Sequence, residues 1–209
     1  MHIQEWVLVS MEMIRSFVAI ELDAGIQEAL GQLQRRLKQA PLGRLGRWVA
    51  PECIHLTLKF LGDVPAERVP EIAQAIKMAS AGTAPFEIAV AGLGCFPNAT
   101  RARVIWVGIE EPSGALASLQ AALERELARL GFKPEGRGFT PHLTLARVRD
   151  MAQNHERAEL GAWVKQQNVG TLATMRVREV SLMQSVLQPA GAIYTRLSAS
   201  PLPLQPREG

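Results

Sequence analysis

The sequence predicts an α+β fold: two pseudo-symmetric lobes, each a mostly antiparallel sheet with outer helices, around a central cleft. Three observations carry this expectation. The tetrapeptide His-Leu-Thr-Leu occurs twice, at His55–Leu58 and at His142–Leu145. The order strand, helix, basic loop, His-Thr strand, helix, strand also occurs twice, at nearly the same spacing. Two similar halves commonly pack about a pseudo-two-fold axis, where each motif meets its own copy.

The elements follow in chain order. Residues 1–13 read as an N-terminal extension outside the fold, with Met11 and Met13 as alternative starts. The bilobal domain spans 14–198, with halves at about 14–98 and 99–198. Arg15–Leu22 is a buried strand, and Asp23 caps a helix striped by Leu30, Leu33 and Leu37. Pro41-Leu42-Gly43 ends that helix, and a basic loop with Arg44 and Arg47 follows. Ile54–Leu61 is the first His-Thr strand, Glu67–Ser80 a helix, and Pro85–Ala91 a strand continued through a glycine bend to Phe96.

The pattern then restarts. Arg103–Ile109 is a buried strand, and Ser113 caps a helix striped by Leu116, Leu119, Leu123, Leu127 and Leu130 and ended at Gly131. A loop with Lys133 and Arg137 leads to Phe139–Ala146, the second His-Thr strand. Met151–Gln167 is a weaker helix, Thr171–Leu187 is strand-rich, and Gly191–Leu197 is a last strand. Residues 199–209 read as a frayed, proline-rich tail.

Composition narrows the class. The 209 residues are 47% hydrophobic and 21% charged, as in a globular chain. A net charge of +3 suits an anionic substrate without demanding one, and no like-charge run forms a nucleic-acid tail. No apolar run reaches the roughly 18 residues of a membrane span. The opening apolar piece, Trp6–Val9, lacks a basic leader and a cleavage site. Cys53 and Cys95 read as buried free thiols in a reducing compartment, which points to the cytoplasm.

The repeated tetrapeptide carries the chemistry. On a strand, side chains alternate between faces, so His55 and Thr57 share one face and Leu56 and Leu58 the other. His142, Thr144, Leu143 and Leu145 divide likewise. An imidazole and a hydroxyl about 7 Å apart make a small polar face. Two such faces side by side can move two protons and hold one small anion. Alternation adds Lys59 to the first face and puts Arg147 off the second. Among the aromatic residues, Phe60 is placed in the core, whereas Phe96 and Tyr194 are candidates for contact with a base; Trp48 and Phe139 are weaker ones.

These stretches resemble the 2H phosphoesterase superfamily, and within it the RNA 2′,3′-cyclic phosphodiesterases, also called 2′-5′ RNA ligases. The similarity rests on Arg15–Ile20, Arg47–Val49 with Pro51-Glu52, His55–Gly62, Phe96-Pro97, Arg103–Ile109 and Phe139–Arg147. The resemblance implies hydrolysis of an RNA 2′,3′-cyclic phosphate end to a 2′-phosphate, with reversible ATP-independent 2′-5′ ligation. It implies His55 as proton donor and His142 as proton acceptor. Thr57 and Thr144 then bind the substrate phosphate, joined by Lys59 and Arg147. The expected partner is RNA, as tRNA halves or oligonucleotides, and the expected state is a monomer needing no metal and no cofactor.

Three rivals remain at this level. A metal hydrolase needs three converging ligands, and neither motif holds a carboxylate. An ATP-driven ligase needs a phosphate-binding loop of the Gly-x-x-x-x-Gly-Lys-Ser/Thr type, which is absent from the sequence. A noncatalytic RNA-end or nucleotide-binding module on the same fold would have no need of both histidines.

Overall fold

The computed structural model describes residues 12–136, 138–188 and 191–204. The N-terminal extension up to residue 11, Arg137 and residues 205–209 of the tail lie outside them. Nine strands and four α-helices occupy the described residues: β1 (Met13–Glu21), α1 (Ala24–Gln39), β2 (Gly46–Trp48), β3 (His55–Pro65), α2 (Val69–Ser80), β4 (Phe86–Phe96), β5 (Val104–Glu110), α3 (Ala115–Arg129), β6 (His142–Val148), α4 (Asn154–Gln166), β7 (Thr171–Val177), β8 (Glu179–Gln188) and β9 (Gly191–Pro201).

Local chemistry explains the helix ends. The Asp23 carboxylate accepts from the Ile26 N–H at 2.9 Å, as its position before the leucine stripe predicts. For α3 the expected cap, Ser113, is replaced by Gly114 in the left-handed region, φ 79°. Glu111 takes over the capping work: its carboxylate accepts from the backbone N–H groups of Ser113 and Leu116. Several N–H donors favour the charged carboxylate, and the Glu111 pKa lies below the usual range despite some burial. Helix α4 begins at Asn154, later than predicted, behind a reciprocal Gln153/Glu156 capping box.

Two antiparallel sheets form, ordered β3-β1-β8-β9 and β2-β6-β5-β4-β7. Helix α2 packs on α3 and behind β8 and β9, while α1 lies against β7. The leucine stripes of α1 and α3 are buried with Leu56, Leu58, Leu143 and Leu145 in one continuous core. Each such leucine stabilises the fold by roughly 1.5–3 kcal/mol.

Two expectations change. The lobes do not divide at residue 98. β2 and β4, from the first half, lie in the second sheet, and from the second half β8 pairs with β1 and β9 with β8 in the first. The tail also starts later than predicted: β9 runs to Pro201, and Leu202 is buried with its N–H on the Arg178 carbonyl.

Candidate active site

The two motifs lie on β3 and β6, and these strands touch where the sheets meet. In each, the tetrapeptide ends in a β-bulge at the same place. Ala19 faces Thr57 but Val18 faces Lys59, so Leu58 is the extra residue. Trp106 faces Thr144 but Ile105 faces Ala146, so Leu145 is the extra residue. A bulge reverses the facing of everything beyond it. This is why strict alternation fails after the second leucine.

The bulge corrects three sequence-based expectations. Lys59 turns into the core: it is 2% exposed, and its Nζ donates to Glu124 at 2.7 Å and to the Lys133 carbonyl at 2.8 Å. It is a structural lysine and does not face a substrate. Phe60, expected in the core, turns outward and is 61% exposed. Arg147, expected off the polar face, rejoins it: Ala146 and Val148 are buried on either side while Arg147 is exposed. The charge of Arg147 reaches Tyr194 in the other sheet and partly opposes the burial that raises the Tyr194 pKa.

The histidines are held alike. His55 Nδ1 is 3.1 Å from the Cys53 carbonyl, and His142 Nδ1 is 2.7 Å from the Thr140 carbonyl. A carbonyl only accepts, so in both rings Nδ1 carries the proton and donates. Nε2 is then the nitrogen free to exchange a proton, and one polarity serves both motifs. Thr57 and Thr144 are half-buried on the same faces.

Each imidazole has aromatic walls. Phe17 stacks on His55 with centroids 4.5 Å apart, and Tyr194 meets that ring edge-on at 4.8 Å. Phe96 meets His142 edge-on at 4.8 Å, with Trp106 at 6.3 Å. Burial disfavours the imidazolium, so the His55 pKa falls below its ordinary value; the Cys53 carbonyl and the Glu21 charge oppose this only in part. Phe96 and Tyr194, expected as candidates for contact with a base, stand against the histidines. Trp48 packs on the core and donates its indole N–H to the Gly43 carbonyl. Phe139 also packs on the core, and Arg44 pairs with Glu156 at 3.3 Å.

Sequence reasoning missed Phe17, Trp106 and Gln34. Phe17 and Trp106 stand in runs that read simply as buried strands. Gln34 lies 1% exposed in the α1 stripe, and its Nε2 donates to the carbonyls of Val49 and of the bulged Leu145. A glutamine inside a leucine stripe is the one signal that could have revealed it. Cys53 and Cys95 are free and half-buried, and burial pushes the Cys95 thiol up to about 11. No three metal-ligating side chains come together among the described residues. No helix among them is long and apolar enough to cross a membrane.

A duplicated α+β fold with a His-Thr pair on a bulged strand in each copy defines the two-histidine phosphoesterase class. The family model described as LigT-like phosphoesterase matches residues 20–106 and again 107–194, and the chain belongs to this family. The chain is 40% identical over 182 residues to the RNA 2′,3′-cyclic phosphodiesterase of Methanothermobacter thermautotrophicus, covering 87% of this chain and 95% of that one. It is 30% identical to the protein of the same name from Aquifex aeolicus, covering 88% and 95%. Among solved structures it is similar to TT0787 of Thermus thermophilus, with TM-score 0.75 and 26% identity, covering 92% of this chain and all of that one. It is also similar to E. coli LigT complexed with 3′-AMP, with TM-score 0.71 and 28% identity, covering 91% and 99%.

Proposed function

We propose that the protein hydrolyses RNA 2′,3′-cyclic phosphate ends to 2′-phosphates by acid/base catalysis between two histidines, with no metal in the step. The observation that carries the reading is the matched tethering of both rings through Nδ1, which leaves two Nε2 atoms for proton transfer. The names of the relatives support the substrate class.

His142 Nε2 takes a proton from water as the water oxygen bonds to phosphorus. The bond from phosphorus to O3′ breaks, and His55 Nε2 gives O3′ its proton. The phosphate remains on O2′. The direction follows the family resemblance. Thr57 and Thr144 donate to the non-bridging oxygens where charge develops, and Arg147 adds a fixed positive charge beyond them. With a ribose 5′-hydroxyl in place of water, the same displacement at phosphorus, again releasing O3′, would join two RNA ends through a 2′-5′ link without ATP.

The test is a short RNA ending in a 2′,3′-cyclic phosphate, in EDTA and without ATP, with the terminus followed over time. The parent should give a 2′-phosphate. His55→Ala and His142→Ala should each lose about 10²–10⁴ in rate. RNA that binds to a folded parent and is never turned over would favour a binding module instead.

A further inference from the structure

Beyond the histidines, the catalytic face of the second sheet carries two arginines in direct opposition. Arg47 on β2 is the register partner of Arg147 on β6. Both are exposed, while their neighbours Gly46, Ala146 and Val148 are buried, so both side chains lie on the face of His142 and Thr144. Opposed residues on adjacent strands hold their Cβ atoms about 5 Å apart, and like charges placed so are destabilising. No ion pair among the described residues involves either arginine. The fold nevertheless fixes both ends of the pair. Gln34 and the Val49 N–H hold the bulged Leu145 carbonyl, and the Arg149 N–H bonds the Leu45 carbonyl just beyond the pair.

A cyclic phosphodiester brings one negative charge, whereas two adjacent guanidinium groups call for two. The pair sits two strand steps past Thr144, about 7 Å, and Arg47 stands on β2, the edge strand beside β6. A single nucleotide with a cyclic phosphate has no second anion to place there. An RNA chain does, because its terminal ribose carries a phosphodiester on the 5′ side.

We propose that Arg47 and Arg147 form a divided anion site. Arg147 serves the reacting phosphate, and Arg47 binds the phosphodiester immediately 5′ of the terminal nucleotide. The site thereby selects RNA chains over free cyclic nucleotides. This rests on the proposed reaction.

The experiment compares kcat/KM for 2′,3′-cyclic AMP with that for a dinucleotide ending in a 2′,3′-cyclic phosphate. A third substrate is the same dinucleotide with a neutral methylphosphonate linkage. In Arg47→Gln the ratio of dinucleotide to cyclic AMP should fall about 10- to 100-fold, the worth of one charge-assisted contact. In the parent the methylphosphonate should cause a fall of the same size, and the two changes together no more than either alone. Equal losses by Arg47→Gln on all three substrates would place Arg47 on the reacting phosphate and overturn the second subsite alone. An unchanged ratio would also overturn it. A parent that turns over neither RNA would overturn the reaction itself, and the divided site with it.

Discussion

At the scale of single residues, the two histidines are chemically alike but differently housed. Phe17 covers one face of His55 and Tyr194 closes an edge, and burial depresses the pKa of that ring. In the proposed reaction His55 must be charged to donate its proton, so the alkaline limb of kcat/KM should fall below the ordinary imidazole pKa near 6.5. Phe17→Ala admits water, removes part of the desolvation and should move that limb to higher pH. An unmoved limb in a folded variant would show that the stacked ring does not set the titration. Lys59 makes a second case. Lys59→Met leaves Glu124 without its cation, with only Gln120 donating to it, and should cost about 1–3 kcal/mol in chemical denaturation, while kcat/KM per folded molecule holds. Neither residue could be weighed from the sequence. Phe17 looks like any strand aromatic, and Lys59 is reassigned by a bulge that no spacing announces.

At the scale of elements, most of the plan was legible. The leucine stripes placed α1 and α3, Asp23 marked the start of α1, and the duplicated tetrapeptide marked both motif strands. What stayed hidden depends on partners distant in the chain. At the bulge on β6 the Leu145 carbonyl accepts from the Val49 N–H and from Gln34, which belongs to a helix more than a hundred residues earlier. Gln34→Leu should cost about 1–3 kcal/mol, because the part-buried Val49 carbonyl and the buried Leu145 carbonyl each lose one donor. Its effect on turnover should exceed that of an equally destabilising core substitution such as Leu127→Ala compared at the same folded fraction, since the bulge directs Arg147. A Cβ at Gly94 would overlap the six-membered ring of Trp106, which lies over that glycine. Gly94→Ala should therefore push Trp106 and Phe96 against His142 and lower kcat, with a stability cost of about 1–3 kcal/mol.

At the scale of the whole molecule, the duplication is visible in sequence but the halves are not separable in space. β2 and β4 cross into the second sheet, and β8 and β9 cross into the first. Alternating patterns identify strands but carry no record of which strands pair, so a boundary near residue 98 is the natural reading and the wrong one. The exchange predicts a single cooperative unfolding transition, coincident by circular dichroism and by tryptophan fluorescence. A fragment of residues 14–98 should lack that transition, because β4 loses both neighbours.

Two copies of one motif about a near-dyad make a cradle with no inherent top or bottom. Left symmetric, it would accept its guest equally well in either of two opposite poses, only one of which leads to a given product. The paired bulges remove that degeneracy. At matched positions they turn a phenylalanine outward in one copy and an arginine in the other. One copy therefore presents a flat apolar ring where the other presents a charge, and two halves that share a motif are no longer equivalent at its edge.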